Sequence, residues 1–123
     1  NAQSLLDKAA KQNEIEDYRL EENIVSLLKQ GKWGRYADKQ TGDMHLCFLS
    51  NNDITGGNSG SPMFNGRGEL IGLAFDGNWE AMSGDISFDS SLQRCIGVDI
   101  RFVLFVIEHW GHADNLIREL GLK

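Results

Sequence analysis

This 123-residue sequence lacks clusters of basic residues and long apolar runs and has a single proline. Lys and Arg total 12 against 18 Asp and Glu, giving a formal net charge of -6, and no Lys/Arg cluster has aromatics interleaved with it. Nucleic acid and anionic membrane surfaces are therefore poor partners. The longest apolar run, 102–107, is far shorter than the roughly 20 residues a membrane-crossing helix needs. One proline and 41% hydrophobic residues fit a folded globular chain rather than a disordered one, long enough for a single domain. The two cysteines, Cys47 and Cys95, permit at most one bridge; both sit in apolar contexts, where free buried thiols are the commoner state. Nothing has metal-ligand spacing, so no metal or other cofactor is expected. There is no internal repeat. No signal peptide is visible, but Asn1-Ala2 without an initiator Met reads as the remnant of a tag, so compartment cannot be inferred from its absence.

Glycine, by contrast, is locally dense. Thr55-Gly56-Gly57-Asn58-Ser59-Gly60-Ser61-Pro62 places three glycines and three hydroxyl residues between the apolar runs 46–49 and 70–75. Glycine allows positive φ and removes the side chain that would block a reacting group. A serine between Gly57 and Gly60 can thus be presented on a tight turn, with the Gly57 and Ser59 amides directed into one concavity. Acyl transfer needs this combination: an exposed hydroxyl beside fixed donors for a developing oxyanion. The alternatives are a plain glycine-rich turn between strands and a phosphate-cradling loop. A Walker loop wants Lys-Ser/Thr after its last glycine, where this chain has Ser61-Pro62. The G-x-S-x-G elbow also fails, because Ser61 stands where its last glycine should be.

Around this loop the hydrophobic period changes from helical to extended. Ser4 with Asp7 predicts a helix start, with Leu5, Leu6, Ala9 and Ala10 as its stripe. Asn13, with Glu16 after it, offers a second cap; Leu20, Ile24, Leu27 and Leu28 follow, and Gly31 ends the pattern. Strands are predicted over 44–50, 63–64, 69–75, 86–88 and 94–98, with Pro62 at a strand start and Asn65-Gly66 as a hairpin signal. Asp99 is a candidate cap for a buried helix over 100–110 closed by Gly111; a strand over 101–107 is the alternative. A last helix, 113–120, turns Leu116, Ile117 and Leu120 inward and ends at Gly121.

The segment Gly57-Asn58-Ser59-Gly60-Ser61-Pro62 resembles the nucleophile segment of chymotrypsin-like serine proteases. The longer run 52–84, with Phe75-Asp76-Gly77-Asn78-Trp79-Glu80, is more particular, and the likeness extends over about 33–120, including Gly34-Arg35-Tyr36-Ala37-Asp38 and Val98-Asp99-Ile100-Arg101. It resembles the bacterial dipeptidyl-peptidases of the 7 and 11 type, serine exopeptidases that release dipeptides from free N-termini. The resemblance implies a mainly β fold with flanking helices: the second, C-terminal barrel of a chymotrypsin-like protease over 33–123, a helical lead-in over 3–32, and residues 1–2 outside both. It implies Ser59 as nucleophile, Gly57 and Ser59 amides for the oxyanion, Asp76 for the substrate's free α-amine, and Gly77 as the residue opening the specificity pocket. Members that cut after Asp or Glu carry Arg where Gly77 stands, so an apolar second substrate residue is expected. Trp79 is a candidate either for the cleft wall or for the core. Asn58 replaces the Asp that digestive proteases pair with a new N-terminus, and is expected to brace the loop instead.

The base is missing from this picture. A serine hydroxyl needs one, oriented by a third group. His45 reads as a strand-face residue, and His109 and His112 as cations at a helix end. In the resembled family the His and Asp come from a first barrel, so the expected partner is an N-terminal barrel outside these residues, and the chain alone is expected to be inactive. The resemblance further implies a peptide substrate with a free N-terminus and a periplasmic, cell-surface or secreted setting; it leaves oligomeric state open, a homodimer included. An inactive peptide-binding relative and a plain interaction module are the competing readings.

Overall fold

The computed structural model describes residues 1–12, 14–83 and 87–122. The chain divides into two compact units, Leu46–Ile100 and Asn1–His45 with Arg101–Lys123. Helices and an antiparallel sheet make up the fold.

Leu46–Ile100 is built on a four-stranded sheet of β1 (Cys47–Ser50), β2 (Pro62–Phe64), β3 (Leu70–Gly77) and β4 (Cys95–Asp99), ordered β1-β4-β3-β2. Every neighbouring pair is antiparallel. Met63, Ala74 and Cys95 are buried on one face, with Phe48, Ile54 and Ile71 packed against them. Gly72 and Gly97 make room for Phe48: a Cβ on either would come within 2.6–2.7 Å of its ring. Paired residues share a face, so Leu49, Ile96, Val98 and Leu73 line the other side, where Leu49 is 65% exposed. The sheet is therefore apolar on both faces.

Pro62 does open a strand, where its missing N–H costs nothing. The hairpin from β2 to β3 is present, but Asn65 precedes the turn: its carbonyl accepts from Gly68 N (2.9 Å) and its Oδ1 from the amides of Arg67 and Glu69. The first strand is shorter than its apolar pattern, since Met44 is fully buried outside β1. Residue 86 lies outside the described residues, and the remainder of the strand expected over 86–88 has no regular structure. Cys47 and Cys95 are free thiols; Cys95 pairs with Ser50, three residues along from Cys47.

One irregularity matters for the site. In the β3–β4 ladder Ala74 faces Gly97 but Asp76 faces Ile96, so Phe75 is the extra residue of a β-bulge. A bulge re-aims every side chain beyond it. Without it Asp76 would share Ala74's face; with it Gly77, opposite Cys95, takes that face and Asp76 the other.

The second unit is helical. Helix α1 (Ala2–Lys11) is capped by Asn1, not Ser4: Asn1 Oδ1 accepts from Ser4 N at 3.0 Å. The proposed cap Asn13 lies outside the described residues; α2 (Glu22–Gln30) begins later and ends at Gly31 with φ +62°. Helix α3 (Ile100–Phe105) continues as a π-helical turn over Val106–Trp110, which ends at Gly111. This confirms the helical alternative for 100–110, but the helix is not buried all round: Phe105 is 1% exposed while Trp110 is 40% exposed. In α4 (Asp114–Glu119) only Ile117 is buried; Leu116 and Leu120 face out at 44% and 61% exposure.

Trp33 and Tyr36 meet Phe105 edge-on, at 5.4 and 6.2 Å between ring centres. Glu108 accepts from the Tyr36 hydroxyl and, at 3.0 Å, from Arg35 Nη2, and these donors hold its carboxyl below the usual range, the tyrosine contributing most. Asp38 is held well below the carboxylate range, first by Arg101 at 2.9 Å and then by the Thr41 and Gln40 amides.

Candidate active site

The glycine-rich segment is an exposed loop between β1 and β2. Its shape follows from two residues with positive φ, Gly57 at +94° and Gly60 at +84°, which an L side chain rarely adopts. Thr55 and Asn58 fix the turn. The Asn58 amide donates to Thr55 O (3.2 Å), while Asn58 Oδ1 accepts from the Thr55 amide (3.0 Å) and hydroxyl (3.3 Å). Asn58 therefore braces the loop locally, as expected of a neutral amide at this position. On the other side, Gly60 N donates to Ala74 O (2.7 Å) and Ala74 N to Ser61 O (2.8 Å), tying the loop to β3.

The amides of Asn58, Gly60 and Ser61 are thus engaged. Among the described residues, those of Gly57 and Ser59 have no acceptor. Two uncommitted N–H groups flanking one residue on an exposed turn are donors for an anion.

Ser59 borders a cavity of about 220 Å³ with Ile54, Thr55, Gly56, Phe75, Asp76, Gly77, Asn78 and Ala81. Three of the residues singled out from sequence, Ser59, Asp76 and Gly77, therefore border one cavity, and Gly57 lies in the adjoining turn. Asp76 Oδ1 accepts from Gly77 N at 2.8 Å, and no cation among the described residues pairs with it. Among the described residues, no Lys, Arg or His lines the cavity and Asp76 is the one charged residue that does. A lining that joins the Asp76 carboxylate to apolar Ile54, Phe75 and Ala81 suits a ligand that brings its own cation and an uncharged side chain.

No histidine is among the described residues that border the cavity. His45, just before β1, has Nε2 3.3 Å from Thr41 Oγ1, and His109 lies 4.9 Å, ring to ring, from Phe105. His112 takes φ +50° at the end of the π-helical turn. All three belong to the helical unit.

Sequence reasoning missed Ile54 and Ala81 as cavity residues. Asn78 carried a readable signal, as a turn-forming residue after a strand. Its side chain accepts from Arg94 N (2.8 Å) and donates to Leu92 O (2.9 Å), and its amide donates to Arg94 O (3.0 Å). Trp79 is 81% exposed, which rules against the core role considered for it, and it does not border this cavity.

The family model for peptidase S46 matches residues 2–122. The chain belongs to the peptidase S46 family. Within that family, it is 60% identical over 107 residues to dipeptidyl-peptidase 7 of Porphyromonas gingivalis, covering 87% of this chain and 15% of that protein. It is 44% identical over 124 residues to the Asp/Glu-specific dipeptidyl-peptidase of Capnocytophaga gingivalis, covering 99% of this chain and 17% of that one. The crystal structure of Porphyromonas endodontalis DPP11 with the dipeptide Arg-Glu superposes with a TM-score of 0.89 at 37% identity, over 98% of this chain and 17% of that one. This peptidase S46 chain thus spans about a sixth of the length of such relatives, which are dipeptidyl-peptidases.

Proposed function

We propose that this chain is the nucleophile-bearing part of a serine dipeptidyl-peptidase that releases N-terminal dipeptides with an apolar second residue. The observation that carries this reading is one cavity shared by a serine hydroxyl, a glycine and a carboxylate that no cation among the described residues pairs with. Ser59 Oγ attacks the carbonyl after the second residue while the Gly57 and Ser59 amides take up the negative charge of the tetrahedral intermediate. Collapse expels the shortened peptide and leaves a dipeptidyl ester on Ser59, which water hydrolyses. Asp76 holds the substrate's α-ammonium, and chains without a free amine leave that carboxylate unpaired.

An acidic second residue would meet Asp76 and, among the described residues lining the cavity, no compensating cation, which favours an apolar one. The family comparison agrees in direction, with 60% identity to a dipeptidyl-peptidase 7 against 44% to an Asp/Glu-specific relative. A sheet apolar on both faces needs covering on both; this supports reading it as one wall of a chymotrypsin-like barrel. The base and its orienting acid come from the rest of the polypeptide, the expected N-terminal barrel, so the isolated chain turns nothing over. The resemblance supports a periplasmic, cell-surface or secreted setting for the whole protein.

Ser59→Ala in the full-length protein tests the reading. Release of dipeptides from a free-amine peptide with an apolar second residue should fall by about 10⁴-fold or more. Retention of most activity, or Ser59-dependent turnover by the isolated chain, contradicts it.

A further inference from the structure

The strand carrying Gly77 ends in a tight three-way arrangement. Asn78, clamped to the backbone of Leu92 and Arg94, starts the 3-10 turn Trp79–Ser83, and Ala81 N donates back to Asn78 O at 3.0 Å. This folds Ala81 over Gly77. A Cβ on Gly77 would lie 2.7 Å from the Ala81 methyl, 3.6 Å from Ile54 Cγ2 and 3.7 Å from Arg94 O. Gly77 has no positive φ, so the backbone itself accepts any residue there. The obstacle is the neighbour alone.

We propose that Ala81 is a second specificity-determining residue of this pocket. Its methyl occupies the space into which a side chain at position 77 would emerge, so residues 77 and 81 set the pocket's size and charge jointly. This rests on the reading of the cavity as the substrate's side-chain pocket. Two consequences follow. The apolar wall contains the Ala81 methyl and Ile54, so enlarging residue 81 shortens the pocket. A side chain introduced at 77 needs residue 81 to shrink before it can point into the cavity, because the Asn78 clamp prevents the turn from yielding.

The experiment uses the full-length enzyme and fluorogenic dipeptidyl substrates with Ala, Phe or Glu as the second residue. Ala81→Val should lower kcat/KM for Phe at least about tenfold relative to Ala, the scale set by a methyl group or two in an apolar pocket. Gly77→Arg alone should gain little activity toward Glu, and Gly77→Arg with Ala81→Gly should gain at least about tenfold more. The milder Gly77→Ala should lower the melting temperature, and adding Ala81→Gly should restore it. That readout needs no activity and survives poor folding of the larger variants. Additive effects of 77 and 81 in both series overturn the proposal. If Gly77 substitutions move selectivity and residue 81 does not respond, only this proposal fails. If neither position moves selectivity in an active enzyme, the pocket assignment fails with it.

Discussion

Two carboxylates of the helical unit and one of the sheet unit, Asp76, are treated in opposite ways, although Glu69 of the sheet unit is itself paired with Arg67 at 2.7 Å. In the helical unit Asp38 and Glu108 are each held by an arginine, with further donation from backbone amides or the Tyr36 hydroxyl. In the sheet unit, among the described residues, Asp76 has only its own neighbour's amide, and Ser59 projects from an exposed loop beside two N–H groups without an acceptor. Satisfied charge organises a fold, and charge without a partner is available to a ligand. Substitutions in the sheet unit's loop should therefore act on turnover, and those in the helical unit on stability.

Gly57→Ala gives the largest effect expected after loss of Ser59 itself. At φ +94° an alanine is strained by about 1–2 kcal/mol, and the turn relaxes by rotating the Gly57 amide away from its position. Loss of an oxyanion donor lowers kcat on the order of 10²–10³-fold with KM little changed. An unchanged kcat would mean that this amide stabilises nothing in the transition state.

Asp76→Asn keeps the shape of the side chain and removes its charge. Loss of one charge-assisted contact to the α-amine should lower kcat/KM by about 10–100-fold. Phosphonylation of Ser59 by a small reagent lacking an amine should be unaffected. Equal processing of N-acetylated and free peptides by the parent enzyme would remove Asp76 from amine recognition.

Glu108→Gln is the smallest effect and the control for the comparison. Its folded-state pKa is depressed, so its stabilising contribution is present above the ordinary value of about 4.3 and is lost as pH falls through the folded-state value. At pH 7 the variant should melt about 1–3 °C lower than the parent, and the gap should close on acidification. Turnover at pH 7 should stay within about twofold. A large loss of activity without a change in melting temperature would break the division between the units.

How much of this could be read from the residues alone depended on how local the physics was. The Asn58 brace, the start of β2 at Pro62 and the helix closed by Gly111 follow from short-range rules, and the sequence displays them. The bulge at Phe75 does not announce itself, because it arises from pairing with β4 some twenty residues away. It sends Gly77 toward Ile54 and Ala81, which no periodicity in 70–77 would reveal. The inward reading of Leu116 and Leu120 failed for a related reason. A helix as short as α4 buries only the side chain its neighbours reach, here Ile117. Asn1 took the cap expected of Ser4 because either residue can accept from the first free amides, and position decides between them.

The central claim concerns one oxygen atom, and covalent labelling tests it most directly. The full-length protein would be treated with a fluorophosphonate, digested and read by mass spectrometry. One phosphonyl group per chain, on Ser59 and absent from Ser59→Ala, is the predicted result. An active enzyme that takes no label, or takes it at another residue, would contradict the account.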